Sequence, residues 1–365
     1  MGYYIVLIIS CILPPLFIDA AYSGNNFQKR KITVFFSFIV LWLFYIFEDG
    51  STMADTKEYI SDFYAFSRSS LQNAIDDSQE EMGFVLLNKF LSVFSDNEFI
   101  LLFTCGTIIV WSFAYSVYKY STIIWFSAFL FLNIPYLQSL YVLRQYLAIS
   151  ICLLSISFVL NRKLLPFLVL IILAFSFHKT AIIFLPVYFL YKININIKFF
   201  IVSIIIGYIY YSYGFSLIES FLSFSELDYG AYMDSFSNAT ATFIDAFLLV
   251  LFFVAFDFKQ LMGPSKLFFI MFIIGSIIDI GSLNAPGGSR LSMYYNISTI
   301  FLIPIAISKL DKNSIDGKMI SSKSFHFKSV GTIILTIAII VCYIAKTVQS
   351  GIWTTGSLSK FSLIF

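Results

Sequence analysis

Charge is scarce in this chain. Asp, Glu, Lys and Arg together make up 12% of the 365 residues against 59% hydrophobic, so a water-soluble domain with an ordinary charged surface is not expected. Cysteine is scarcer still. Cys11, Cys105, Cys152 and Cys342 each lie inside an apolar run, and none has a partner at metal-ligand spacing. That argues against both a disulfide framework and a zinc site, and leaves small core residues. Histidine occurs only twice. No Pro/Gly/Ser-rich linker divides the chain and no fixed-period repeat recurs, so one domain over 1–365 is expected.

Apolar sequence is what the chain has in abundance, with a mean hydropathy of +0.86. Apolar runs occur at about 3–20, 32–49, 98–118, 121–140, 141–160, 164–178, 179–191, 198–213, 241–257, 266–283, 291–308 and 330–350. Runs of this length and character predict an all-α, polytopic integral membrane protein with about twelve transmembrane helices. The first run has no basic residues before it, whereas Lys29, Arg30 and Lys31 follow it. That order predicts a retained helix with its N-terminus outside. The stretch 164–191 could be one long helix or two short ones broken near His178 and Lys179. A single crossing there would put the basic segment SKLDKNSIDGKMISSKSFHFK outside, so two short segments are expected.

The expected outer loops are then about 49–97, 213–240 and 284–290. The first is strongly acidic. Within it ADTKEYISDFYAF spaces Ile60, Phe63 and Tyr64, and EEMGFVLLNKFLSVF spaces Met82, Val85, Leu86 and Phe90, as amphipathic helices lying along the outer membrane surface.

Polar residues that enter the apolar runs carry the functional reading, because a charge in the bilayer usually faces a cavity or a partner. Arg144 lies about one turn from the outer end of its run and, at helical spacing, shares a face with Tyr141, Ala148, Cys152 and Ser155. Such a face is either a cavity wall or a helix contact. Gln145 beside it points about 100° away and serves either a ligand or packing. His178 and Lys179 stand at the expected break, where His178 is either a catalyst or a hydrogen-bonded packing residue. NAPGGSRLSMYYN places Arg290 at the opening of a helix after a Gly-Gly-Ser turn. Unpaired N–H groups plus a guanidinium make a seat for phosphate.

DTKEY (55–59), EEMGFVLLNKFL (80–91), LRQYLAISI (143–151), FSFHKTAIIFLPVY (175–188) and SRLSMYY (289–295) follow one another in order. With this series the chain resembles the EpsG-like group of Wzy-type polysaccharide polymerases, over most of its length up to about residue 310. The resemblance implies a GT-C-like glycosyltransferase at the outer face of the bacterial cytoplasmic membrane. Its reaction would move a growing glycan from undecaprenyl pyrophosphate to the non-reducing end of another lipid-linked repeat unit. On that reading Arg144 and Arg290 hold the pyrophosphate with Gln145 and Lys179 as helpers, while His178, Glu81 and Asp55 are candidates for the base. Tyr141 and Tyr294 are candidate sugar-stacking rings. Glu48, Asp49 and Asp55 are too loosely spaced to be a metal-ligand set, so no cofactor is indicated and the leading mechanism is metal-independent, with a divalent cation held by oxygen ligands as the alternative. The expected partners are undecaprenyl-pyrophosphate-linked oligosaccharides, the membrane and, by analogy, a chain-length regulator, with no nucleic acid. The rivals are a lipid-linked oligosaccharide flippase, a membrane acyltransferase and an O-antigen ligase. A flippase would place its charges near the midplane in repeat-related positions.

Overall fold

In lipid no water is available to the backbone, so each apolar run must satisfy its N–H and C=O groups internally, and helix is the result. The computed structural model describes residues 2–21, 26–47, 54–76, 80–225, 239–284, 288–311 and 330–349, and among them there is no strand. Helices α1 (Gly2–Ala21) and α2 (Asn26–Ile46) pack together and precede three short helices, α3 (Ala54–Arg68), α4 (Leu71–Asp76) and α5 (Met82–Ser92). Next come α6 (Phe99–Tyr120), α7 (Ile124–Phe131), α8 (Leu137–Ser139), α9 (Leu143–Leu160), α10 (Leu164–Phe177) and α11 (Val187–Leu190). The chain continues through α12 (Ile197–Ser225), α13 (Ala239–Ala255), α14 (Gly263–Gly281), α15 (Gly288–Asn296), α16 (Thr299–Asp311) and α17 (Val330–Gln349). One buried apolar cluster runs from Tyr4 in α1 to Tyr343 in α17.

Every apolar run of the sequence is helical over most of its described length. Five segments among the described residues are long and apolar enough to cross a membrane: Phe99–Tyr120, Leu143–Leu160, Ile197–Gly214, Gly263–Gly281 and Arg290–Asp311. Elsewhere the runs are interrupted for local reasons. Between α7 and α8 the chain forms a π-helical turn, Leu132–Tyr136, which contains Pro135 and its missing N–H. The Asn133 amide donates to the Phe129 carbonyl at 2.7 Å, and its oxygen accepts from the Tyr4 hydroxyl of α1. Thr347 of α17 donates to the Asn133 carbonyl at 2.8 Å. The irregular turn thus pins the first and last helices to the middle of the chain.

The expected break in 164–191 falls at His178, where α10 ends in extended backbone (φ −159°, ψ 119°) and a 3₁₀ segment, Lys179–Phe184, begins. The membrane-capable part of α12 is Ile197–Gly214, and helix continues to Ser225 within the segment expected as an outer loop; residues 226–238 lie outside the described set.

The segment 49–97, expected as an outer loop, holds short helices, and the face of α5 differs from the expected one. Met82, Leu86 and Phe90 are exposed, whereas Phe84 and Leu91 are buried against the bundle and Val85 is buried with Phe66 of α3 and Ala74 of α4. The helix therefore has two apolar faces, one turned inward and one outward. Its inward placement is fixed by Gly83. A Cβ there would lie 2.5 Å from Ser176 Oγ and 2.6 Å from the Ser176 carbonyl of α10, so only glycine lets the two backbones approach this closely. The Lys89 ammonium donates to the Phe66 and Ser69 carbonyls at 2.9 and 2.7 Å, closing the C-terminal end of α3.

At the opposite end of the molecule the Arg30 guanidinium does the same for α6, donating to the carbonyls of Tyr118 (2.6 Å), Val117 (3.1 Å) and Ser121 (2.6 Å). Between α2 and α6 the chain is tightly packed at Gly106, where a Cβ would stand 2.5 Å from the Tyr45 ring. Tyr45 is 1% exposed and its hydroxyl donates to the Ser139 carbonyl, so the ring has nowhere to move. Gly106→Val is therefore expected to destabilise the protein by about 1–3 kcal/mol through overpacking. Thermal unfolding of the detergent-solubilised chain measures this, and an unchanged midpoint would show that the α2–α6 contact yields.

Candidate active site

Four helix ends meet at one end of the bundle: the starts of α5, α9 and α15 and the end of α10. Glu81 is the N-cap residue of α5. Its backbone carbonyl accepts from Phe84 and Val85, but its carboxylate makes no cap bond and so reaches outward. One oxygen accepts from His178 Nδ1 at 3.0 Å and from the Lys179 backbone N–H at 3.3 Å. The other pairs with Arg144 Nη1 in the first turn of α9. Because His178 ends α10 in extended backbone, its imidazole turns out of the helix toward this carboxylate instead of packing along the helix face.

Arg144 also pairs with Glu80 through the same Nη1, and its guanidinium lies 5.5 Å from the Tyr59 ring centroid and 5.8 Å from that of Phe84. The four polar side chains are between 11% and 21% exposed, so their charges interact with less screening than a surface pair would. Arg144 Nε is buried and makes no hydrogen bond.

One guanidinium between two carboxylates splits their acidities. Burial alone would raise Glu81, but the hydrogen bond from His178, the charges of Arg144 and His178 and the Lys179 N–H hold it down at about 2. Burial also raises Glu80, Arg144 offsets this only in part, and the nearby carboxylates of Asp62, Glu81 and Glu58 add to the rise, to about 7. Burial likewise raises Asp62, helped by Glu58 and opposed by Arg144. Near neutral pH the cluster therefore holds an ionised Glu81, the Arg144 cation and a Glu80 that carries its proton about half the time. With Glu81 ionised, the 3.0 Å contact requires the hydrogen on His178 Nδ1, so Nε2 is the ring nitrogen left to face a reacting group.

The expected site residues fall into two groups. Arg144, Glu81 and His178 form one connected cluster, and Lys179 joins it through its backbone while its side chain is exposed. Gln145, 2% exposed, donates from Nε2 to the Arg290 carbonyl at 2.6 Å and so ties α9 to the first turn of α15 beside this cluster. Tyr294 is completely buried, with its hydroxyl 3.1 Å from Thr180 Oγ1, so it offers no open ring to a sugar here. Tyr141 lies in the turn before α9, where helical spacing no longer places it on the Arg144 face. On that face Ala148, Cys152 and Ser155 are fully buried, which makes it a helix contact and not a cavity wall. Asp55 is in the first turn of α3 and its side chain lies outside the described residues, as do Glu48 and Asp49. Among the described residues no group of three or more His, Cys, Asp or Glu is placed to hold a metal ion.

The model of the EpsG family matches residues 31–360. The chain belongs to the EpsG family. Membership carries, in general terms, a membrane protein that is a glycosyltransferase-like polysaccharide polymerase. No curated protein and no solved structure matches the chain.

For this EpsG family member the residue that spacing did not single out is Glu80. Its signal was the acidic doublet opening EEMGFVLLNKFL, of which only the second member looked like a candidate base. Two adjacent carboxylates point in different directions, and only the fold shows that both reach the same arginine.

The raised pKa of Glu80 has a consequence of definite sign for stability. A carboxyl whose folded value lies above its ordinary 4.5 favours the folded state while protonated, and that contribution is lost as pH rises through about 7. Stability is expected to fall by about 1 kcal/mol between about pH 6 and about pH 8, and Glu80→Gln is expected to abolish this dependence. Chemical denaturation of the solubilised wild type and variant across this range measures it; an identical slope in the two would remove Glu80 as its source.

Proposed function

We propose that the chain is a polysaccharide polymerase of GT-C-like organisation with about twelve crossings, acting at the outer face of the bacterial cytoplasmic membrane. The donor is a growing glycan on undecaprenyl pyrophosphate and the acceptor is the non-reducing end of another lipid-linked repeat unit. The observation that supports this most is the Arg144–Glu81–His178 cluster at the interrupted end of α10, in a chain of the EpsG family. All these groups lie at one end of the bundle, where an enzyme working at a membrane face needs them, and not in repeat-related positions at its middle, where a flippase would.

In the proposed reaction the acceptor hydroxyl oxygen bonds to the donor's anomeric carbon while the bond from that carbon to the pyrophosphate oxygen breaks. The hydroxyl proton passes to His178 Nε2, with Glu81 orienting the ring through Nδ1 and stabilising the imidazolium that forms. Glu81 thus acts through His178, and Asp55 is the alternative base. Negative charge develops on the departing lipid pyrophosphate. Arg290, the N–H groups opening α15 and Arg144 stabilise it, with the exposed Lys179 ammonium as a helper. Arg144 can exchange Glu80 for a phosphate oxygen, because protonated Glu80 holds the guanidinium less strongly than an ionised one. Gln145 positions the start of α15, and Tyr141 is the remaining candidate for sugar contact. No metal or other cofactor enters the step. A chain-length regulator is the proposed protein partner.

Complementing a deletion strain with His178→Ala, Glu81→Gln or Arg290→Ala is expected to reduce long-chain polymer about a hundredfold or more and to leave single repeat units on the carrier at the outer face. Electrophoretic length analysis of the polymer reads this directly. Intact long chains in the His178→Ala strain would sink the assignment, and repeat units trapped facing the cytoplasm would favour the flippase.

A further inference from the structure

We infer that the shallow hollow between α2 and α6, at the end of the bundle far from Arg144, binds an anionic phospholipid by its headgroup phosphate. Helical spacing builds the hollow. Trp111, Tyr115 and Tyr118 recur along one face of α6, and Lys31 and Phe35 along the facing side of α2. Between these large side chains the floor is made by the smaller Ala114 and Val34, both buried, which leaves a space of about 190 Å³. The walls are held by their own ring contacts. Phe35 stacks on Trp111 with centroids 5.7 Å apart, and Phe27 meets Tyr118 edge to face at 6.1 Å.

Positive charge surrounds this hollow without a balancing carboxylate on either helix. α2 and α6 contain Lys29, Arg30, Lys31 and Lys119 and no Asp or Glu. Arg30 is committed to three carbonyls at the end of α6, and its guanidinium stands 5.7 Å from the Tyr118 ring centroid. Lys31 and Lys119 are exposed and flank the rings. The Lys31 ammonium lies 4.4 Å from the Phe27 centroid, and that of Lys119 lies 5.6 Å from the Tyr115 centroid. Among the described residues neither forms an ion pair. Two cations beside an aromatic hollow suit an anion whose remaining part is apolar.

The level of the hollow in the bilayer favours a lipid over a soluble anion. α6 is long and apolar enough to cross a membrane, and Tyr118 and Lys119 are in its last turn, where such a helix passes from hydrocarbon to headgroups. Phe35 and Tyr115 are 46% and 50% exposed, so the hollow faces outward from the bundle. Lys31 and Lys119 hold the phosphate, while the rings of Tyr115, Tyr118 and Trp111 cover the glycerol and the start of one acyl chain. Phosphatidylglycerol is favoured over phosphatidylcholine, because choline would bring a third cation beside the two lysines. A free phosphate gains nothing from the rings. Because the hollow is at the other end of the bundle from Glu81 and His178, the inference does not rest on the polymerase reading.

The test uses the full chain in nanodiscs of mixed phosphatidylcholine and phosphatidylglycerol, with the lipid retained on the released protein counted by native mass spectrometry. The wild type is expected to keep phosphatidylglycerol in preference to phosphatidylcholine. Lys31→Gln combined with Lys119→Gln is expected to weaken phosphatidylglycerol retention about tenfold or more, since each lysine at an anionic headgroup adds to binding. Both positions are exposed, so the fold is expected to survive, and Lys31→Arg with Lys119→Arg is expected to keep retention. Lys163→Gln with Lys192→Gln, which removes two exposed cations on other turns, is expected to leave retention unchanged. Equal retention of the two lipids, an unchanged Lys31→Gln/Lys119→Gln variant, an equal loss in Lys163→Gln/Lys192→Gln, or displacement by free glycerol phosphate would overturn the assignment.

Discussion

A guanidinium inside a low-dielectric wall needs a counter-charge, and the arrangement of this end of the molecule follows from how Arg144 meets that need. Its two carboxylates come from the segment just before α5, which lies outside the bundle, so pairing draws that segment down onto the start of α9. Once Glu81 is held there, its second oxygen is at the right place for an imidazole. His178 can present one only because α10 stops one residue earlier. The ion pair, the helix break and the seating of α5 are thus one arrangement. With two carboxylates sharing one guanidinium, burial and the neighbouring carboxylates leave Glu80 as the acid that holds its proton to higher pH, while Glu81 stays ionised.

The second half of the site is attached by neutral hydrogen bonds. Gln145 holds the Arg290 carbonyl, Thr180 meets Tyr294, and the Tyr295 hydroxyl donates to the Ile183 carbonyl. These bonds join α9, the 3₁₀ segment and α15 without adding charge. α15 therefore begins beside the ionic cluster while its N-terminal N–H groups stay oriented by the helix.

Much of this was legible from sequence. Hydropathy located the runs, and charge bias split 164–191 at the residue where the helix does end, because a basic segment on the wrong side costs more than a short helix does. Arg144, His178 and Arg290 stood out as polar residues in apolar surroundings. What sequence could not supply was which partner each had chosen. Arg144 reads as an unpaired cation along its own helix, yet its partners lie more than sixty positions earlier, at Glu80 and Glu81. Helical spacing also misled at Tyr141, because the run is broken by a turn that no single residue announces, and at Val85, because α5 is apolar on two sides. Pattern reports which residues avoid water. It does not report whether lipid or protein covers them.

Gly83 against Ser176 has a consequence for motion. The α5 and α10 backbones approach with only the small Ser176 side chain at their contact, which resists sliding of one past the other, and Ser176 is two residues from His178. A displacement of α5 therefore bears directly on the end of α10. The loop and the imidazole are thus joined twice, through the Gly83–Ser176 contact and through the Glu81–His178 hydrogen bond.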